Sequence, residues 1–176
     1  MLGSFQRQAK FPAASVPGQT PTLTEMNFRK ILIAVDSEPI AARAADVGAA
    51  LARALGAEVG LIHVIEFPLG YAEASGVPAS ELTARSKQVG HQLLADFRQR
   101  VSAQPGVLDF LEVGRPGVEI VKAAAEWPAD VIVIGSHGRG GVGRTLLGSV
   151  AEHVMRRAPC PVLVVRANAD ARRNPE

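Results

Sequence analysis

The sequence predicts an α/β protein: a single domain built on an open five-stranded parallel sheet with helices on both faces. Three observations predict it. Short β-branched runs alternate with helical patterns from residue 31 to residue 165. Those runs are almost continuously apolar, as strands buried on both faces must be. The chain has 176 residues, enough for one full hydrophobic core, and shows no repeat at solenoid spacing.

Residues 1–27 lack apolar periodicity and carry Pro12, Pro17, Gly18 and Pro21, which reads as a flexible tail. Met26 stands just before the first strand and is a candidate start for the domain, which spans 28–167. Ile31–Val35 is the first strand, too short and β-branched for a helix. Ser37 is a candidate N-cap, with Pro39 in the first turn of an alanine-rich helix. Gly56 stands at a plausible helix stop. Val59–Ile65 is the second strand, and Phe67–Ala79 is a long irregular loop, either a lid or a connection. A helix runs from Ser80 to about Ser102, its apolar face drawn through Leu82, Val89, Leu93, Phe97 and Val101. Val107–Val113 is the third strand. The third helix follows from about Gly117 to Trp127, with Trp127 expected to hold it on the sheet. The run VIVIG is the fourth strand, VAEHVMRRA the fourth helix and PVLVVR the fifth strand; residues 168–176 read as a second tail.

Bulk properties exclude several functions. A net charge of +2 is too small to argue for nucleic acid. No apolar run approaches bilayer length, and the first twenty residues lack the apolar core of a signal peptide. They are basic, which keeps an organelle-targeting reading open, but a soluble cytoplasmic protein is the default. The single cysteine, Cys160, rules out an internal disulfide and a cysteine-rich metal site, and reads as a small buried hydrophobe. His63, on a strand, reads as a packed residue. His137 has no partner at metal spacing, so no metal site is assigned to the protein.

The densest signal is GSHGRGGVGRTLLGS, Gly135 to Ser149, in which six of fifteen residues are glycine. It leaves a buried strand and enters a helix. In open α/β sheets ligands bind at that end, where the strand order reverses. Glycines there let backbone N–H groups form an anion cradle, and the following helix adds its positive dipole end. Ser149-Val150-Ala151-Glu152 fits a capping box with Ser149 as N-cap. Arg139 and Arg144 either pair with phosphate or are solvated charges, and Asp36 is either a turn residue or a ligand contact. No lysine precedes a Ser or Thr in the loop, so it is not the usual phosphate loop, and it follows the fourth strand, unlike a dinucleotide fingerprint.

Gly135-x-x-Gly138, nine residues, then Gly148-Ser149 resembles the nucleotide-binding signature of the universal stress protein family. The segments ILIAVDSEP, LARALGAEVGLIHVIE and ADVIVIGSHGRGGVGRTLLGSVAEHVMRRAPCPVLVVR extend the resemblance over about residues 28–167. The resemblance implies strand order 3-2-1-4-5 and an ATP site. It places Ala34, Asp36 and Val64 at the adenosine end, and Gly135, Gly138, Gly148, Ser149 and Val150 on the phosphates; Arg139 joins the nucleotide-binding candidates by its charge. Ala34 stands where some ATP-binding members have proline, so the adenine wall differs. A Mg or Mn ion would be held mainly by the phosphates. The function so implied is an ATP-binding regulatory module of the stress response; the alternatives are a slow ATPase at the same site and a nucleotide-free structural dimer. No catalytic residue is assigned. The fifth strand should be a sheet edge with no inward charge and no bulge glycine, so it needs a cover. Either the same strand of a second copy pairs with it, as the resemblance implies, or residues 167–176 fold over it.

Overall fold

A computed structural model describes residues 28–67, 78–101, 106–136 and 147–166. Nine elements follow in order: β1 (Lys30–Ala34), α1 (Pro39–Leu55), β2 (Glu58–Ile65), α2 (Ala79–Arg100), β3 (Leu108–Val113), α3 (Pro116–Glu126), β4 (Val131–Gly135), α4 (Ser149–Arg157) and β5 (Val162–Val165). The five strands form one sheet in the order β3-β2-β1-β4-β5, every neighbouring pair parallel. The chain winds outward from β1 to β3, then returns to lay β4 on the other side of β1. The reversal therefore falls between β1 and β4, where Ile33 pairs with Val133.

Alternation along the strands feeds two cores. Ile31, Ile33, Leu61 and Val133 point to one face, under α1 and α2. Leu32, Ile62, Ile132 and Ile134 point to the other, under α3 and α4. This two-faced burial explains why the strands read as continuous apolar runs.

The alanines of α1 serve proximity. Ala41, Ala44, Ala45, Ala49 and Ala52 are buried with Gly48. A Cβ at Gly48 would stand 2.5 Å from Ile33 Cδ1, so glycine lets the helix lie directly on β1. Gly56 ends α1 in the left-handed region at φ 63°, as a C-terminal glycine should. At the other end the expected Ser37 cap is replaced. Glu38 is the N-cap, without a side-chain cap bond, and Pro39 takes the first helical position. Asp36 sets this start: its Oδ1 accepts the Glu38 N–H at 2.9 Å, a turn that moves the helix one residue on.

Most of the expected apolar face of α2 packs on the first core: Val101 is buried and Leu93 and Phe97 lie against it. Val89 departs, 68% exposed, and Gly90 and Leu94 are buried in its place. The reason is contact distance. A Cβ at Gly90 would meet Leu111 Cδ1 at 2.6 Å, so the helix backbone itself rests on the sheet there.

Trp127 closes α3 against the sheet, its ring 5.7 Å from that of Phe110 and 5.3 Å from Lys30 Nζ. Cys160 is half-buried against the second core; burial, then the nearby Asp130 charge, pushes its thiol pKa up. β5 pairs with β4 at one edge of the sheet.

Candidate functional site

Three chain segments end at the carboxyl side of the reversal. β1 runs out at Ala34, followed by Val35 and the Asp36 turn. β4 ends at Gly135, followed by Ser136. The third is the start of α4. Gly148 N–H donates to the Ser136 carbonyl at 2.8 Å. That bond pins together the two ends of the glycine-rich segment, at the mouth of β4. Ser136 N–H in turn donates to the Val165 carbonyl at 2.7 Å, which ties the same point to β5. Ser136 is 3% exposed, the buried polar residue among the described ones.

The start of α4 corrects the capping-box expectation. Gly148 is the N-cap, extended at φ −64° and ψ 149°, and Ser149 is the first helical residue. Glu152 N–H bonds back to the Gly148 carbonyl at 2.9 Å. Glu152 is therefore one residue too far along to close a capping box. Its carboxylate instead accepts from Arg156 Nε at 3.0 Å, one turn along the helix. Ser149 is exposed and stands one residue past the cap position. The helix leaves the N–H groups of its first turn, at Ser149, Val150 and Ala151, without intrahelical carbonyl partners. Gly148 N–H is already occupied by Ser136.

The backbone at Gly148 does not demand glycine. An extended φ of −64° suits any residue, unlike the left-handed positions at Gly56 and Gly106. What glycine provides at 148 is the absence of a side chain at the junction of strand and helix.

The apolar residues near this sheet end belong to the second core. Ala34, Ile134 and Ala151 are buried in the second core, and Val64, Leu147 and Val150 pack on it half-buried. Thus Ala34, Val64 and Val150, predicted from different parts of the sequence, meet in one cluster. Asp36 and Gly135 lie half-buried at the same sheet end. Gly138 and Arg139, like Arg144 and His137, lie outside the described residues, as does most of the Phe67–Ala79 loop.

Sequence reasoning assigns no role here to two polar residues. Ser136 joins the segments through its backbone N–H and carbonyl, which its residue type does not signal. His63 lies half-buried, as a packed residue should, and its Nδ1 also sits 3.0 Å from the Val35 carbonyl. A polar side chain inside the apolar run VGLIHVI was the available signal. Among the described residues no group of three or more His, Cys, Asp or Glu side chains is placed to hold a metal ion.

The universal stress protein family model matches residues 27–166. The chain is 36% identical over 139 residues to the universal stress protein in the QAH/OAS sulfhydrylase 3′ region of Thermus aquaticus, covering 79% of this chain and 99% of that one. The solved structure of hypothetical protein MJ0577 matches with a TM-score of 0.72 at 30% identity, over 82% of this chain and 99% of that one. The universal stress protein from Archaeoglobus fulgidus, solved in complex with dAMP, matches with a TM-score of 0.56 at 26% identity, over 79% and 98% of the two chains. With strand order, glycine spacing and sequence in agreement along the same stretch, this chain belongs to the universal stress protein family.

Proposed function

We propose that the chain binds ATP in the crevice between the carboxyl ends of β1 and β4 and acts as a regulatory module of the stress response. The observation that carries this reading is the Ser136–Gly148 bond, which closes the glycine-rich segment beside the Asp36 turn at the reversal of strand order. The binding unit is residues 28–167. Ala34 and Val64 offer an apolar surface to the base, and Asp36 a carboxylate to the adenosine end. Gly135, Gly138, Ser149 and Val150 receive the phosphates through backbone N–H groups and the α4 dipole, while Gly148, whose N–H is held by Ser136, leaves room for them without a side chain. Arg139 adds charge on the phosphate side. A bound Mg or Mn ion would take its ligands mainly from the phosphates and would neutralise part of their charge. The dAMP complex of the Archaeoglobus fulgidus relative supports an adenine nucleotide as the ligand class.

This chain's groups bind and orient; none is assigned a chemical step. The working form is a homodimer paired along β5. Leu163 is 38% exposed on that edge, beside an apolar cleft that it lines with Phe28, Leu51 and Leu55. Such an edge favours a partner strand over solvent. No described helix is long and apolar enough to cross a membrane, and the proposed place of action is the cytoplasm.

Mass spectrometry of nucleotide released from gently purified protein tests the ligand, and ATP is expected. Calorimetry with Gly138→Val tests the site: a well-folded variant with unchanged ATP affinity would overturn the assignment. Phosphate release that vanishes in the same variant would replace the regulatory reading by a slow ATPase.

A further inference from the structure

His63 interrupts the apolar run of β2 with an imidazole whose Nδ1 lies 3.0 Å from the Val35 carbonyl oxygen. A carbonyl only accepts, so Nδ1 carries the proton and donates. Val35 stands between the end of β1 and Asp36. Its own N–H donates to the Ile62 carbonyl at 2.9 Å, and there the backbone pairing of β1 with β2 ends. Both polar groups of Val35 are therefore held from β2, one by backbone and one by a side chain.

These two bonds orient the peptide plane that leads into Asp36. The bond is trans, so the Asp36 N–H points opposite to the Val35 carbonyl, away from β2. β1 lies between β2 and β4, so that direction is the β4 side, where Ser136 and Gly148 meet. Asp36 Oδ1 then accepts the Glu38 N–H at 2.9 Å, so the turn begins from the plane that His63 holds. The ring is itself confined. A Cβ on Gly90 would stand 3.3 Å from His63 Cδ2, so α2 crosses close above the imidazole.

We propose that His63 is a positioning residue for the nucleotide site: from the opposite face of the sheet it aims the Val35–Asp36 peptide, and with it the turn that meets the adenosine end. The proposal rests on the nucleotide reading above. It assigns His63 no contact with the ligand. Its effect should therefore be the same for adenosine, AMP and ATP, whereas a change in the glycine loop should weigh more heavily on ligands with more phosphates.

The test uses the full chain with His63→Leu, which removes the donor and keeps an apolar body under α2, and His63→Gln, which keeps an N–H. Hydrogen exchange at the Glu38 amide is measured by NMR without ligand, and adenosine, AMP and ATP affinities by calorimetry. Loss of one net hydrogen bond should speed Glu38 exchange roughly three- to tenfold and weaken all three ligands by a similar factor, with recovery in His63→Gln. If His63→Leu does not fold, His63→Met, unbranched and without a donor, takes its place. Wild-type Glu38 exchange in the donor-free variant would overturn the proposal. So would a loss confined to ATP, or one that Gln leaves unrepaired. A wild-type protein that binds no adenine nucleotide would overturn the parent reading and the ligand role of His63 together, and Glu38 exchange would still decide whether the ring holds the turn.

Discussion

Replacing Gly148 by valine should separate binding from folding, and the backbone explains why. Gly148 is the N-cap of α4 at φ −64° and ψ 149°, an extended conformation that β-branched residues adopt without strain. Its N–H bond to Ser136 does not depend on the side chain. A poorer N-cap costs up to about 1 kcal/mol, and a less flexible unfolded chain returns about 0.4–1 kcal/mol. The net change in stability should stay within about 1 kcal/mol. Binding should respond differently. A branched side chain at the junction of β4 and α4 would block close approach of phosphate to the Ser149 and Val150 N–H groups. Losing one or two such bonds costs about 1–3 kcal/mol, roughly a 5- to 150-fold rise in Kd for ATP. Gly60→Ala is the converse. Its Cβ would meet Phe110 Cε2 at 2.8 Å, Trp127 Cζ3 at 3.1 Å and Leu32 Cδ1 at 3.2 Å, two of them on aromatic rings in mutual contact. Overpacking of that kind costs about 1–3 kcal/mol. Urea unfolding and ATP calorimetry on both variants check the pair. Gly148→Val should bind poorly and unfold normally, and Gly60→Ala the reverse. Normal ATP affinity in folded Gly148→Val would refute the argument that glycine is there for space.

At the far side of the molecule, Arg100 holds Asp46 through two hydrogen bonds at 2.6 and 2.7 Å and keeps its carboxyl below the ordinary 3.8. The resulting stability is present above that value and lost as pH falls through the lower folded one; because the pair is exposed, Asp46→Asn should cost at most about 1 kcal/mol at pH 7, and urea unfolding at pH 7 and pH 3 should show that difference shrinking. Val164 packs on the second core, so Val164→Lys should destabilise the fold, whereas Leu163→Lys, on the more exposed side chain, should mainly split the proposed dimer; thermal melts and light scattering separate the two. A chain starting at Met26 should melt within a few degrees of the full chain, because residues 1–25 carry no periodic apolar face; a large drop by calorimetry would show that they contribute to the core.

The parts of the fold legible in the sequence were those whose side chains report their own burial. β1 and β4 read correctly to within a residue because a strand buried on both faces has no polar position to confuse the pattern. Glycine reports nothing of the kind. Gly90 rests on the sheet where the apolar stripe had chosen Val89, because contact with Leu111 decides the rotation of α2 and glycine has no side chain to be counted. The same silence moved the α4 cap. S-x-x-E fits a capping box locally, but the Ser136–Gly148 bond, made across the loop, accompanies a helix that starts one residue earlier than the box requires. The site divides along the same line. Ala34, Asp36 and Gly135 reach one sheet end because order 3-2-1-4-5 puts β1 beside β4; Val64 comes on β2, the other neighbour of β1, and Gly148 through its bond to Ser136. His63 escapes that logic. Its partner, Val35, is 28 residues away, and which strand residue faces its ring depends on the register Ala34 against Ile62. A shift of one residue would turn His63 to the other face of the sheet, against Val64's neighbours. The contact that aims the Asp36 turn is therefore a property of register, which no local pattern contains.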